Sequence, residues 1–189
     1  APELVASTDY ERVGPGSLPA MSGGRVQVVE FFAFWCNPCY AFESELVRWK
    51  QAVEPRIEVV HVPVVWNPRS ELQARAHYAA AALGRLDIVR GPMFDAIHQG
   101  GNALDSVAAL AELFARLGVD TAAFDEAFNS SAVDAQVERA AALGREYGIT
   151  STPTLVIAGR YLTNSTLAGS PEQVLAVAER LARQESCSI

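Results

Sequence analysis

The feature that most restricts this chain is a buried-strand pattern that runs directly into a Cys-x-x-Cys pair opening a helical pattern. Arg25 to Trp35 carries Val26, Val28, Val29, Phe31, Phe32 and Phe34, the β-branched and aromatic content of a buried strand. From Cys36 onward the apolar positions change to Phe42, Leu46, Trp49 and Val53, spaced four, three and four residues apart. That spacing is one face of a helix, ended near Pro55. A second apolar run, Ile57 to Trp66, predicts another strand, and strand, helix, strand in this order suggests a parallel βαβ unit.

The middle of the chain, about 68 to 147, is rich in Ala, Leu, Glu and Arg. Its helical periodicity is broken at Gly84, Gly91, Gly100-Gly101, Gly118 and Asn129-Ser130-Ser131, which predicts a cluster of helices. The β signal returns at Thr154-Leu155-Val156-Ile157, followed by a turn at Ala158-Gly159-Arg160 and a partner around Tyr161 and Leu162. Ser170-Pro171 then reads as an N-cap with proline at the first helical position, ahead of an apolar stripe of Val174, Leu175, Ala178 and Leu181. The summed order, β, α, β, a helical block, ββ, α, is an α/β thioredoxin fold with an inserted helical domain. Residues 1–66 and 148–189 form the thioredoxin-like domain and 67–147 the helical insertion.

Three physical requirements converge on Cys36-Asn37-Pro38-Cys39. Two intervening residues in a first helical turn bring two sulfurs within disulfide reach. The helix N-terminus offers unpaired N–H groups and a partial positive charge, which stabilise a thiolate on the first cysteine. Cys36 is therefore the expected nucleophile and Cys39, one turn further in, the resolving thiol. Zinc is disfavoured, because Cys187 is the only other cysteine and His61, His77 and His98 show no ligand spacing. A purely structural disulfide across so short a loop would constrain the unfolded chain little. No metal and no cofactor is expected.

Thr150-Ser151-Thr152-Pro153 stands just before the returning strand. X-Pro is the bond type that adopts cis at low cost, and proline at the first residue of a strand cannot donate to the ladder. Together with the cysteine pair, this predicts a cis Thr152-Pro153 bond facing the redox centre, with the Thr152 backbone available to an extended peptide.

The run from Val29 to Tyr40 with its Cys-Asn-Pro-Cys centre, the helical block, Thr152-Pro153 with Val156 to Tyr161, and the length resemble the DsbA family of bacterial periplasmic disulfide oxidases. The similarity runs from about Val26 to Leu181. The resemblance implies oxidation of newly exported proteins in the periplasm by a monomer, and reoxidation by a DsbB-like membrane protein that passes electrons to quinone. Phe34, Trp35, Asn37, Pro38 and Thr152 are then the expected peptide-binding surface.

Glu30 shares a strand face with Val26, Val28 and Phe32, where a charge is expensive unless paired, so its pKa is expected to be raised. By resemblance it matches the buried glutamate that relays the proton of the buried cysteine. The lysine often found two residues before the histidine corresponding to His61 is here Val59, so Glu30 is either protonated or compensated by water or another group. The dipeptide also departs from Cys-Pro-His-Cys. Without that histidine, Cys36 is expected to be less acidic and the protein less oxidising, by about 30 mV for each pKa unit. A reductase or isomerase would use the same pair, and a redox-inactive chaperone would use only the peptide groove; both stay open at the level of sequence.

Fifteen basic against 22 acidic residues give a net charge of −7 with basic groups scattered singly, which argues against a nucleic-acid surface. No apolar stretch approaches the roughly 20 residues of a membrane span. The Ala1-Pro2-Glu3 opening is what an exported protein shows after its signal peptide is removed. Cys187 reads as a mobile thiol, His61 as a strand residue near Glu30, and His77 and His98 as surface helix residues. Phe94, Phe114, Phe124 and Phe128 read as the core of the insertion, and Asn129 and Asn164 sit in chance glycosylation tripeptides.

Overall fold

The computed structural model describes residues 3–14, 16–53 and 55–187, so the Ala1-Pro2 opening lies outside the described residues. In chain order the elements are β1 (Glu11–Arg12), β2 (Met21–Ser22), β3 (Arg25–Phe32), α1 (Asn37–Val53), β4 (Ile57–Pro63), α2 (Pro68–Ala82), α3 (Leu86–His98), α4 (Val107–Arg116), α5 (Thr121–Phe128), α6 (Ser131–Glu146), β5 (Thr154–Ile157), β6 (Tyr161–Asn164), α7 (Ser165–Ala168) and α8 (Pro171–Ser186). Two compact units result: Ala1–Phe32 with Ala41–Val62 and Glu146–Ile189, and Ala33–Tyr40 with Pro63–Arg145. Among the described residues no helix is long and apolar enough to cross a membrane.

In the first unit the sheet runs β1-β6-β5-β3-β2, with β4 also pairing β3. β3 is buried from Val26 to Phe32, as its continuous apolar run requires. Its antiparallel register with β5 sets Glu30 opposite Leu155 and Phe31 opposite Thr154. Phe42, Leu46 and Val53 of α1 and Val174, Leu175, Ala178 and Leu181 of α8 pack into one core with Val26, Val28, Leu155 and Ile157. The helical spacings of four, three and four thus do bury one face of α1. Ser170 caps α8 by accepting the Gln173 amide, with Pro171 at the first position.

The β5–β6 hairpin turns through Ala158 and Gly159, both at positive φ. A Cβ on Gly159 would collide with the Leu18 carbonyl oxygen, so the turn needs glycine for close approach as well as for its backbone angle. The lead segment is held there by Tyr147, whose hydroxyl accepts the Leu18 amide at 3.2 Å. Burial raises the pKa of that hydroxyl.

In the second unit each break that carries an N-cap is a real helix start. Asn67 forms a reciprocal capping box with Ser70, Ser106 accepts the Ala109 amide, and Asp120 accepts the Ala123 amide. Phe114, Phe124 and Phe128 are buried and pack in series as tilted rings, 4.6 and 5.2 Å between centroids, in the core of the insertion. Arg75 closes α2 against this end, bonding the Phe128 carbonyl at 2.8 Å and Asp134 at 2.6 Å.

Four expectations are corrected. β3 ends at Phe32 rather than Trp35, because the Cys36 amide donates to the Ala33 carbonyl and turns the chain. β4 ends at Pro63 rather than Trp66, and the Trp66 and Asn67 amides go to the Ser70 hydroxyl instead of a strand partner. Gly91 does not break α3, since buried Val89, Met93 and Phe94 on either side hold the helix through it. His77 is 2% exposed and belongs to the interior.

Candidate active site

The segment from Ala33 to Tyr40 belongs to the second unit and brings together Phe34, Trp35, Cys36, Asn37, Pro38 and Cys39. After the turn at Ala33 the chain enters α1 at Asn37, so Cys36 sits at the residue just before the helix. Its carbonyl accepts the Tyr40 amide at 3.0 Å, the first helical bond. Its sulfur lies 3.4 Å from the Cys39 amide nitrogen, which donates to it. A first-turn N–H aimed at sulfur is the arrangement that stabilises a thiolate. Cys36 is 7% exposed and Cys39 fully buried, so one sulfur is nearer to solvent than the other. Asn37 and Pro38 are exposed between them.

Trp35 is half-buried and packs at 6.2 Å against Trp66, which is 43% exposed. With Asn37, Arg69, Ile97, His98, Gly101 and Ala103, Trp35 lines a groove of about 300 Å³. Phe34 does not face that groove. It is 1% exposed and packs on Phe94 at 4.9 Å and on His77 at 6.2 Å, so its place in an apolar peptide-binding rim is corrected to a core position. Phe34 lies two residues beyond the end of β3, where its ring turns into the insertion core.

His98, read from sequence as a surface helix residue, is instead tied to this segment. Its Nε2 is 2.7 Å from the Phe34 carbonyl oxygen, and its ring stacks on Tyr40 at 4.6 Å and 5°. The Tyr40 hydroxyl bonds Asp95 at 3.1 Å and receives the Gln99 amide. The sequence signal that could have flagged this cluster is Asp95, His98 and Gln99 at helical spacing, His98 and Gln99 three and four residues after Asp95, at the C-terminal end of α3 and its cap.

Glu30, Thr152 and Pro153 belong to the first unit. Glu30 is fully buried on β3, and its Oε2 is 2.6 Å from Nδ1 of His61 on β4. His61, two residues beyond Val59 on the same strand, therefore faces the Glu30 carboxyl within hydrogen-bond distance. The Phe32 ring meets His61 edge-on at 6.4 Å and 87°. The Thr152-Pro153 bond is cis, as expected, and both residues are half-buried. Pro153 directly precedes Thr154, which pairs with Phe31, so β5 begins level with the end of β3. Cys187 is exposed at the C-cap of α8.

The sequence model of the DSBA-like thioredoxin domain family matches residues 27–178. The chain belongs to that family. It is 32% identical over 171 residues to the thiol:disulfide interchange protein DsbA of Azotobacter vinelandii, covering 90% of this chain and 80% of that one. The crystal structure of Pseudomonas aeruginosa DsbA superposes with a TM-score of 0.90 at 29% identity, covering 98% of this chain and 96% of that one. A structure of Proteus mirabilis DsbA with a non-covalently bound seven-residue peptide superposes with a TM-score of 0.78 at 26% identity, covering 98% of this chain and all of that one. The fold is the DsbA-like thioredoxin fold with a helical insertion, and the chain is a disulfide-forming thiol oxidoreductase whose Cys36 and Cys39 have the Cys-x-x-Cys spacing of the family.

Proposed function

We propose that this DsbA-family chain oxidises dithiols in exported proteins, with Cys36 as the sulfur that exchanges with substrate and Cys39 as its resolving partner. The observation that carries this is the 3.4 Å contact from the Cys39 amide to the Cys36 sulfur, at the start of a 17-residue helix. A substrate thiolate attacks Cys36 in the Cys36–Cys39 disulfide. The substrate–Cys36 bond forms, the Cys36–Cys39 bond breaks, and Cys39 leaves as a thiolate that takes up a proton. A second substrate thiolate then attacks the substrate sulfur of the mixed disulfide, forming the substrate disulfide and releasing Cys36 as a thiolate. Two electrons pass to the protein, and stabilising the Cys36 thiolate favours this reduced product.

Glu30 serves in this reading as the buried acid that relays the Cys39 proton, held by His61. The Thr152 backbone ahead of cis Pro153 takes the extended substrate chain, and Trp35, Asn37 and Pro38 supply the surface beside Cys36. The peptide bound to the Proteus mirabilis relative supports a peptide site of this kind. The thioredoxin-like part is 1–66 with 148–189 and the insertion 67–147. The place of action is the periplasm, the reoxidant a DsbB-like membrane quinone reductase, and the acting species a monomer.

Cys36→Ala abolishes oxidation of a dithiol peptide, while retained activity refutes the assignment of Cys36. Equilibration with glutathione sets the direction of electron flow. A reduction potential as low as that of thioredoxin, roughly −270 mV, would contradict the oxidase reading.

A further inference from the structure

We infer that His98 is a positioning residue for the redox segment, clamping it on both sides of the cysteine pair. The inference rests on the reading of Cys36 as the exchanging thiol. A carbonyl oxygen only accepts, so the 2.7 Å contact from His98 to Phe34 requires the proton on Nε2 and makes His98 the donor. Phe34 is two residues before Cys36. The other attachment is the ring of Tyr40, one residue after Cys39, stacked on the same imidazole at 5°. Tyr40 is in turn fastened by its hydroxyl to Asp95, which lies on the same helix as His98, and to Gln99 just beyond its end.

One imidazole thus ties the entry and exit of an eight-residue segment, Ala33 to Tyr40, to the end of α3. The sulfur is set on its donor by the turn these anchors hold, in which the Cys36 amide donates to the Ala33 carbonyl at 3.2 Å, the Tyr40 amide to the Cys36 carbonyl at 3.0 Å and the Cys39 amide to the Cys36 sulfur at 3.4 Å. A hydrogen bond weakens steeply as its donor angle closes, so small rotations of the turn weaken the bond to sulfur. The anchor at Phe34 prevents that rotation. The anchor at Tyr40 keeps in register the first turn of α1, whose Cys39 amide donates to Cys36. His98 also lines the groove that Asn37 borders, so the clamp lies alongside a surface at the site.

Two substitutions separate the donor from the ring. His98→Phe keeps the stack on Tyr40 and removes the bond to Phe34. His98→Gln removes the ring but places an amide N–H the same number of bonds from Cβ as Nε2. The readouts are the Cys36 pKa, from the ultraviolet absorbance of its thiolate, and the equilibrium constant with glutathione, both measured on protein shown to be folded by circular dichroism. His98→Phe is expected to raise the Cys36 pKa by about one unit and to shift the equilibrium about tenfold toward the disulfide form, equivalent to about 30 mV. His98→Gln is expected to restore both to within about threefold. A folded His98→Phe protein with unchanged Cys36 pKa and equilibrium, whatever its melting temperature, overturns the inference, as does a His98→Gln protein no better than His98→Phe. If Cys36 fails to titrate before Cys39 in the unsubstituted protein, the reading of Cys36 itself fails, a result distinct from a failure confined to His98.

Discussion

His61 offers a quantitative test of how the buried carboxylate is tolerated. Glu30 is fully buried and its Oε2 is 2.6 Å from His61, whose own side chain is 12% exposed. Replacing His61 with Leu removes its 2.6 Å bond to the Glu30 carboxyl and leaves that fully buried group in a site that disfavours its ionised form. Removing one partner of a buried pair costs about 3–5 kcal/mol when the other stays charged. The protein has a cheaper escape, which is to protonate Glu30. For a carboxyl of ordinary pKa, about 4.3, neutralisation at pH 7 costs about 3.7 kcal/mol, and each unit of lower pH reduces that by about 1.4 kcal/mol. Leucine burial returns about 1 kcal/mol of this. His61→Leu is therefore expected to lose about 2–3 kcal/mol at pH 7.

The sign of the pH dependence follows from the same argument. In the variant, folding raises the pKa of Glu30 above its unfolded value, so its penalty is absent below the unfolded pKa and grows as pH rises. The gap between unsubstituted protein and variant should be widest near neutrality and narrow toward pH 5. Urea denaturation at a series of pH values measures it. A gap that stays constant from pH 7.5 to pH 5, or a variant as stable as the parent at pH 7, would refute the reasoning. The double substitution Glu30→Leu with His61→Leu should recover most of the loss, because it removes both polar groups together.

Three further outcomes follow from the geometry. Reduced Cys39→Ala protein should attack a disulfide-containing peptide through Cys36 and accumulate the mixed disulfide, which mass spectrometry detects; release at the parent rate would contradict the resolving role of Cys39. Pro38→His, at an exposed position in the first turn of α1, should lower the Cys36 pKa by about one unit and make the protein more oxidising by about 30 mV, measured against glutathione; no change would show that the helix end already supplies the available stabilisation. Gly159→Ala meets both a φ of +62° and the Leu18 carbonyl, so it should destabilise by at least about 2 kcal/mol in thermal melting; a neutral effect would mean that the turn can rearrange.

What the amino-acid order alone determined was the set of features with local causes. The β3 run, the one-sided face of α1, the Ser170 cap with Pro171, the breaks at Gly84, Gly118 and Asn129, and the placement of Cys36 and Cys39 at a strand-to-helix junction all follow from side-chain period, capping and backbone sterics within a few residues. Most of the candidate site was legible for the same reason, because its centre is one short segment and its second element is a single X-Pro bond.

Tertiary structure decided the features whose causes are distant in the chain. β1 and β2 have two residues each and exist as strands only through pairing with β6 and β3, so nothing in Glu11-Arg12 or Met21-Ser22 marks them. The early end of β3, the burial of Phe34 and the continuity of α3 through Gly91 depend on what packs against each segment. So do the contacts of two histidines at the site: His61 meets Glu30 across 31 positions and His98 meets Phe34 across 64. A polar side chain gains its role from the group it satisfies, and that group becomes a neighbour only when the chain has folded.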